Sequence, residues 1–241
     1  MKLKTLVMGT AVAAAAMSAT GALAYQAGDI IVRAGAVTVA PDESSDGIAI
    51  PALNIPALSG TQAEVDNDTQ LGLTATYMLS SSLGIELLAA TPFSHDIDAN
   101  LNAANLGTIS AGSTKHLPPT VSVVWYPLGS EYSISPYVGA GINYTVFFDE
   151  DVSGDLEAAT GALAELDGPL PMSLDLDDSW GLAAQLGVDV ALNSNWHVNA
   201  SVRWIDIETD ARFSAGGATI ISVDNVEIDP FVYQINIGYK F

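Results

Sequence analysis

Eight segments of the chain alternate apolar residues with polar or small ones at a period of two. Successive side chains of a β-strand point to opposite faces, so each segment predicts a strand with one apolar face. The last segment is the clearest, because every second residue from Phe231 to Phe241 is aromatic or isoleucine. The eight segments span residues 30–36, 71–77, 83–90, 120–125, 138–146, 180–190, 198–204 and 231–241.

The connections between these segments alternate in length. Short turns of about three to five residues follow the second, fourth and sixth segments, and long, mostly acidic connections follow the others. This pattern predicts an all-β fold, an eight-stranded antiparallel transmembrane β-barrel with short periplasmic turns and long extracellular loops. A short helix is expected at residues 155–166, within the third long loop. The alternative, a soluble β-sandwich, does not account for the tyrosines and tryptophans near strand ends, whereas an aromatic girdle does.

The chain is strongly apolar but lacks a long apolar run after its N-terminal segment. Apolar residues make up 49% of the sequence and the mean hydropathy is +0.32. The most apolar stretch, residues 181–192, is interrupted by Gln185 and Asp189. A helical membrane protein needs about 20 consecutive apolar residues and is therefore excluded. Strands that face lipid on one side fit this composition, because only every second residue has to be apolar.

The N-terminal segment has the features of an export signal. Lys2 and Lys4 precede a short apolar core, and residues 22–24 have the small-x-small pattern of a cleavage site. We therefore expect a signal peptide over residues 1–24, a single barrel domain over residues 25–241, and a location in the bacterial outer membrane. The chain has no cysteine, so disulfides cannot stabilise an exported fold.

The charge of the chain excludes one class of partner. The sequence has 28 Asp and Glu residues against 7 Lys and Arg residues, which gives a formal net charge of −21. Proteins that bind nucleic acids carry clustered Lys and Arg residues, so no nucleic-acid partner is expected.

The residues do not favour catalysis or metal binding. No recognised nucleophile motif surrounds His95, His116 or His197, and surface positions are the simpler interpretation of these histidines. As a metal pair, His95 and His116 would have only Asp96 or Asp98 as further ligands. The chain is therefore not expected to be an enzyme, or to hold a metal or another cofactor.

Five charged residues lie at alternate strand positions whose side chains are predicted to face the barrel interior; we call these positions the inward parity. An eight-stranded barrel holds only side chains or one small ligand, and charges inside it must be paired and hydrogen-bonded. Arg33, Glu86, Asp189 and Lys240 are expected to form an inward ionic network near the periplasmic half. Arg203 shares this parity, and it either pairs with Asp189 or caps the floor of the lumen.

The outer half of the lumen is predicted to be less polar. Leu88, Val37 and Phe147 face inward nearer the outer ends of their strands. A lumen that is apolar above and ionic below suits a small hydrophobic molecule that enters from outside and leaves sideways into the bilayer. Gly139 and Gly141 either leave room in this lumen or mark sharp curvature of the barrel.

Motifs along the whole chain resemble the OmpW family of outer-membrane proteins. They lie at residues 28–35, 67–73, 84–93, 116–120, 136–144, 178–181, 185–189 and 238–241. The resemblance implies a narrow hydrophobic channel with a lateral opening in its wall, and relatives that include alkane-uptake proteins. It also implies a channel narrowed by a leucine, matched by Leu88, and by a tryptophan. Arg203, beside Trp204, stands at the tryptophan position, so the chain departs from the family there.

Two functions are consistent with these observations. The first is an outer-membrane channel that passes small hydrophobic molecules and releases them laterally, surrounded by lipid and lipopolysaccharide. The second is a surface-interaction or stress-response barrel that binds cations, lipopolysaccharide or a partner through acidic loops such as residues 149–151 and 175–178. These loops lack the spacing of a calcium-binding loop, so solvation is the simpler interpretation of their charge. The sequence specifies neither the transported molecule nor an oligomeric state.

Overall fold

The computed structural model of the protein describes residues 23–102 and 107–241, which are mostly β-strands. Except for residues 23 and 24, the predicted signal peptide lies outside the described residues. The strands are β1 (Ile30–Ala40), β2 (Gln62–Val65), β3 (Asp68–Met78), β4 (Leu83–Ala90), β5 (Phe93–Asn100), β6 (Thr108–Leu117), β7 (Thr120–Trp125), β8 (Ile134–Val152), β9 (Ser173–Leu176), β10 (Ser179–Ala191), β11 (Trp196–Ile205), β12 (Glu208–Ala215), β13 (Ala218–Glu227) and β14 (Phe231–Lys240). The helical elements are the α-helix α1 (Gly154–Leu163) and a 3-10 turn (Pro51–Leu53). No helix in the described ranges has the length and hydropathy needed to cross a membrane.

Eight of these strands close into a barrel. They pair antiparallel in the order β1, β3, β4, β7, β8, β10, β11 and β14. The barrel is closed because β14 pairs back onto β1, from the Ile31–Lys240 pair to the Ala40–Phe231 pair. Each of the eight strands contains one of the alternating segments, so the predicted eight-stranded antiparallel barrel is confirmed.

The outer face of the barrel is an apolar band with aromatic edges. Ile235, in the middle of β14, is 68% exposed although it is strongly hydrophobic. On a soluble protein such a surface would promote association, whereas in a bilayer it contacts lipid. Trp180 packs on Tyr144 at the outer edge with ring centroids 4.5 Å apart, and Trp196 packs on Tyr239 near the periplasmic edge at 4.9 Å. These rings mark the limits of the membrane-spanning part.

Beyond the outer edge of this band, the wall continues in strands that the sequence did not predict. β6 pairs with the outer half of β8, β5 pairs with β6, and β2 pairs with β5. A second sheet forms from β9, β12 and β13. In β6, small and polar residues occupy both parities, so the period-two signal is weak. The predicted helix in the third long loop is confirmed as α1, where the Ser153 hydroxyl caps the N-terminus by accepting from the Leu156 N–H at 3.1 Å.

Gly139 and Gly141 do not leave open space in the lumen. A Cβ on Gly139 would lie 2.8 Å from Cγ and Nε2 of Gln185, and a Cβ on Gly141 would meet Ser122 and the carbonyl oxygen of Val121. Neighbouring strands and side chains occupy the space beside these glycines, so room in the lumen, one of the two alternatives from the sequence, is not observed. Their role in the structure is to permit close packing of β8 against β7 and of Gln185 against β8.

Candidate functional site

The periplasmic half of the barrel interior contains a buried ion-pair network. Arg33 donates from Nη1 to Glu86 Oε2 at 3.0 Å and from Nη2 to Asp189 Oδ2 at 2.8 Å. The three side chains are at most 2% exposed. The third donor of the guanidinium, Nε, donates to Nε2 of His197 at 3.1 Å. Arg33 on β1 thus connects β4, β10 and β11 across the lumen.

Arg203 belongs to this network through Glu86. Its Nη2 lies 2.8 Å from Glu86 Oε1 and also donates to Oε1 of Gln185. Pairing with Asp189, one of the two alternatives from the sequence, is not observed, because β11 places Arg203 opposite Gln185 and facing Glu86. Glu86 therefore lies between two arginines. Two cations and two carboxylates balance in charge, which a dry interior requires.

Polar side chains around Asp189 complete this network, which closes the lumen on the periplasmic side. We call the network of Arg33, Glu86, Asp189 and Arg203 the ionic floor. The hydroxyls of Tyr25 and Tyr126 each donate to Asp189 Oδ2 at 2.9 Å, and Asn199 Nδ2 donates to Oδ1 at 2.8 Å. Tyr126 in turn accepts from Arg33 at 2.8 Å. The sequence analysis missed the two tyrosines, because both lie outside the alternating segments. Their nearness to strand ends was the available signal.

Lys240 lies apart from the network to which the sequence assigned it. Its Nζ is 4.0 Å from Asp29 Oδ2, and it also donates to the carbonyl oxygen of Leu23, a residue of the predicted signal peptide. The parity of β14 correctly indicates an inward direction, but Lys240 is the last residue of that strand and therefore lies at the periplasmic rim.

Above the floor, apolar side chains fill the lumen. Leu88 follows Glu86 by one inward position on β4 and is 2% exposed. Val37 and Phe147, which the sequence placed near the outer ends, belong to one buried cluster. The members of this apolar plug are Val37, Val39, Phe93, Phe147, Ala183, Ile205, Ile207 and Val232. The plug separates the ionic floor from the outer part of the lumen.

An apolar cavity lies on the outer side of this plug. The space within its lining is about 570 Å³, a figure that includes the mouth and the solvent open to it. Aliphatic side chains such as Val39, Val65 and Ile207 form most of its lining. A second apolar cavity of about 900 Å³, which also includes open space, shares Ala63 and Ile97 with the first and extends toward α1. The two cavities are adjacent and lead outward from the plug.

His95 and His116 line the first cavity, and neither lies on the surface as expected from the sequence. They are 3% and 5% exposed, and their Nε2 atoms are 2.9 Å apart. Phe93 and Phe147 pack on the ring of His116, with centroids 5.3 and 5.9 Å away. Burial first, and the nearby His95 second, lower the pKa of His116 from 6.5 to about 3. His197 is also buried, in the floor.

The barrel wall has a weak seam between β3 and β5. Backbone pairing of β3 with β4 ends at Gly72 and Ala90, and Pro92 then offers no N–H group. Past that point, Thr91 N–H donates to the Leu71 carbonyl oxygen at 2.9 Å and Asp66 N–H donates to the Asp96 carbonyl oxygen at 3.4 Å. N–H groups of β5 donate to side chains at and just before the start of β3. Asp68 accepts from Ser94 N at 2.9 Å, and Asp66 likewise accepts from Asp96 N at 2.9 Å. This seam borders the first cavity through His95, whose Nδ1 lies 2.6 Å from the carbonyl oxygen of Asp66.

Metal ligands are not clustered in the described part of the chain. Within residues 23–102 and 107–241, no three His, Asp or Glu side chains are placed to hold a metal ion together. The interior combines an ion-paired floor, in which Nε and Nη1 of Arg203 have no hydrogen-bond partner among the described residues, with an apolar cavity above it.

Comparison with known proteins gives matches along nearly the whole chain. The sequence model of the OmpW family matches residues 26–241. Outer membrane protein W of Vibrio cholerae serotype O1 is 47% identical over 242 residues, covering 99% of this chain and 100% of that protein. The crystal structure of the outer membrane protein OprG from Pseudomonas aeruginosa has a TM-score of 0.78 at 42% identity, covering 91% of this chain and 99% of that one. The solid-state NMR structure of outer membrane protein AlkL in DMPC bilayers has a TM-score of 0.60 at 25% identity, covering 90% and 92%.

Replacing Glu86 should destabilise the barrel far more than breaking an exposed ion pair. Glu86→Leu leaves two buried arginines without their shared counter-ion, at an expected cost of about 3–5 kcal/mol in the free energy of unfolding. The double variant Glu86→Leu with Arg203→Met should cost less, because one uncompensated charge is removed with its partner. Guanidinium unfolding of the protein in lipid vesicles measures both.

Lys115→Met is the matched control for this comparison. Lys115 and Asp149 are 3.0 Å apart but 46% and 62% exposed, so losing this pair should cost less than about 1 kcal/mol. Equal costs for Glu86→Leu and Lys115→Met would contradict the account of the floor.

Acid should destabilise the wild type more than a His116→Phe variant. The pKa of His116 is about 3 in the folded protein against an ordinary 6.5, so the unfolded chain binds more protons between these values. Stability from this group is complete above about pH 6.5 and is lost as the pH falls toward 3. From pH 7 to pH 4 the loss is about 3 kcal/mol. Guanidinium unfolding at both pH values measures it, and an equal pH dependence in the variant would refute the assignment.

Proposed function

The chain belongs to the OmpW family of outer-membrane proteins, and on that premise we propose that its barrel passes small hydrophobic molecules from outside into the outer membrane. Its location is the bacterial outer membrane, and residues 1–24 serve as the cleaved signal that directs it there. The observation that carries the proposal is an apolar cavity on the outer side of the apolar plug, with the ionic floor beneath that plug.

The floor opposes passage straight through the barrel. A solute moving from the cavity to the periplasm would have to pass the apolar plug and then separate Arg33 from Glu86 and Asp189. Opening such buried pairs is costly, because each separated charge loses its partner in a dry interior. A hydrophobic molecule gains nothing by entering this polar layer, so it stops above it.

The seam between β3 and β5 offers a route sideways. The bonds there run to the carboxylates of Asp66 and Asp68 instead of forming a continuous backbone ladder. Side chains can rotate away, whereas a paired backbone cannot separate without breaking several bonds at once. On the lipid side below the seam, the wall has a shallow depression lined by small residues, among them Gly72, Ala89 and Ala90. A molecule that leaves through the seam meets this apolar surface and then lipid.

The relatives support the same function. The similarity to AlkL extends over 90% of the chain, and the family resemblance includes alkane-uptake proteins. Leu88, between the floor and the outer lumen, corresponds to the leucine that narrows the family channel. Arg203 replaces the tryptophan that is expected there, and its pairing with Glu86 makes it part of the floor.

Locking the seam should stop uptake. Because the native chain has no cysteine, Asp68→Cys with Ser94→Cys can be joined by a short cleavable thiol cross-linker without side reactions. We expect cells that carry the cross-linked protein to take up a small apolar fluorophore several-fold more slowly than cells with the reduced protein, and cleavage to restore the rate. Lipopolysaccharide in the outer leaflet provides the barrier that the protein must bypass.

A cross-link in the continuous ladder is the control. Val198 and Ile237 lie opposite each other in the β11–β14 pair, away from the seam, so Val198→Cys with Ile237→Cys should leave uptake unchanged when joined. If both cross-linked proteins behave like the wild type, the lateral route is refuted. If wild-type cells take up the fluorophore no faster than cells lacking the protein, the transport proposal itself fails.

A further inference from the structure

The two histidines of the outer cavity fix the positions of each other's protons. A backbone carbonyl oxygen only accepts hydrogen bonds, so His95 Nδ1, 2.6 Å from the carbonyl oxygen of Asp66, carries a hydrogen. When both imidazoles are neutral, each has one N–H group, and Nε2 of His95 is then an acceptor. His116 Nε2, 2.9 Å away, must therefore donate to it. The remaining nitrogen, His116 Nδ1, is left with a free lone pair.

This lone pair has no donor among residues 23–102 and 107–241. His116 Nδ1 is buried and makes no hydrogen bond, although a buried acceptor without a partner is destabilising. The hydroxyls of Thr114 and Thr209, which also line the cavity, are already used. They donate to the carbonyl oxygens of Lys115 at 3.3 Å and Asp177 at 2.7 Å. Among the described residues that line the cavity, His116 is thus the one with a buried polar side-chain atom left unpaired.

The surroundings of His116 restrict which ligands can donate a hydrogen bond to its Nδ1. The rings of Phe93 and Phe147 pack on the imidazole, and most of the remaining lining is aliphatic. A charged ligand would be costly to desolvate there. An anion is further disfavoured, because Nδ1 has no hydrogen to donate and the carboxylates of Asp66 and Asp68 lie close to the histidine pair.

We propose that the outer cavity selects neutral, mostly apolar molecules that carry one hydrogen-bond donor, such as an alcohol or a phenol, by bonding that donor to His116 Nδ1. The proposal rests on the proposed function and names the class of molecule that the cavity prefers. Hydrocarbons of the same size enter the cavity but leave the lone pair unpaired, so they bind less tightly. His95 acts as a positioning residue, because it fixes the hydrogen of His116 on the other nitrogen.

The test is nitrogen NMR of the full-length protein in lipid bilayers with 15N-labelled histidine. Before any ligand is added, His95 should carry its hydrogen on Nδ1 and His116 on Nε2. Addition of 4-methylphenol should move the His116 Nδ1 resonance in the direction typical of an accepted hydrogen bond, whereas 4-methylanisole, which lacks the donor, should not. Affinity for the phenol should exceed that for the anisole by about threefold to tenfold.

Two variants make the result specific. His116→Phe keeps an aromatic ring but removes the acceptor, so the preference for the phenol should disappear while the anisole binds as before. Thr114→Val removes a cavity hydroxyl that is already bonded, so it should leave the preference intact. Methyl resonances of Ile97 report whether either molecule enters the cavity.

The outcomes separate this inference from the proposed function. If both molecules shift the Ile97 methyl resonances but the His116 nitrogens respond equally to both, donor selection is overturned and an apolar binding site remains. The same conclusion follows if His116 carries its hydrogen on Nδ1 in the free protein. If neither molecule perturbs Ile97, the apolar cavity does not bind such molecules, and the proposed function fails with the inference.

Discussion

The carboxylate of Glu86, held between Arg33 and Arg203, is the contact on which the interior of this barrel depends. Each of its oxygens lies within 3.0 Å of a different guanidinium. In a lumen this narrow, water cannot solvate two arginines, so one shared carboxylate and Asp189 have to neutralise them. Because the four charges balance, the network is stable as a closed layer. That closed layer determines where the apolar part of the lumen must end.

The closed ionic floor explains how the outer part of the lumen is arranged. The apolar plug covers the ionic layer, the cavities continue outward from the plug, and the seam between β3 and β5 lacks a continuous backbone ladder. A hydrophobic molecule that enters from outside therefore meets a dead end below and a weak wall beside it. Lateral release needs no moving domain, because the seam opens when the Asp66 and Asp68 side chains turn away from β5 and the bonds of the Asp66 backbone to His95 and Asp96 break.

Sequence alternation predicted the barrel because a lipid-facing strand must be apolar at every second residue, as in β14. It did not predict β6, whose two faces are both small or polar. Alternation also indicated whether a side chain points inward, but not its position along the barrel axis. Lys240 was therefore assigned to a network that lies deeper in the lumen. The burial of His95 and His116 depends on strands that alternation did not reveal, and the space near Gly139 is filled by Gln185 from another strand. Such contacts between distant segments carry no local signal.

The central claim, that the floor closes the barrel, is tested most directly by the flux of a small sugar. Lipid vesicles loaded with radiolabelled arabinose would be prepared with the wild-type protein, without protein, and with a general porin as the positive control. The account predicts that wild-type vesicles retain the sugar as long as protein-free vesicles do. Release at a rate approaching that of the porin vesicles would contradict it, because a sugar can pass only if the layer around Glu86 is open to water.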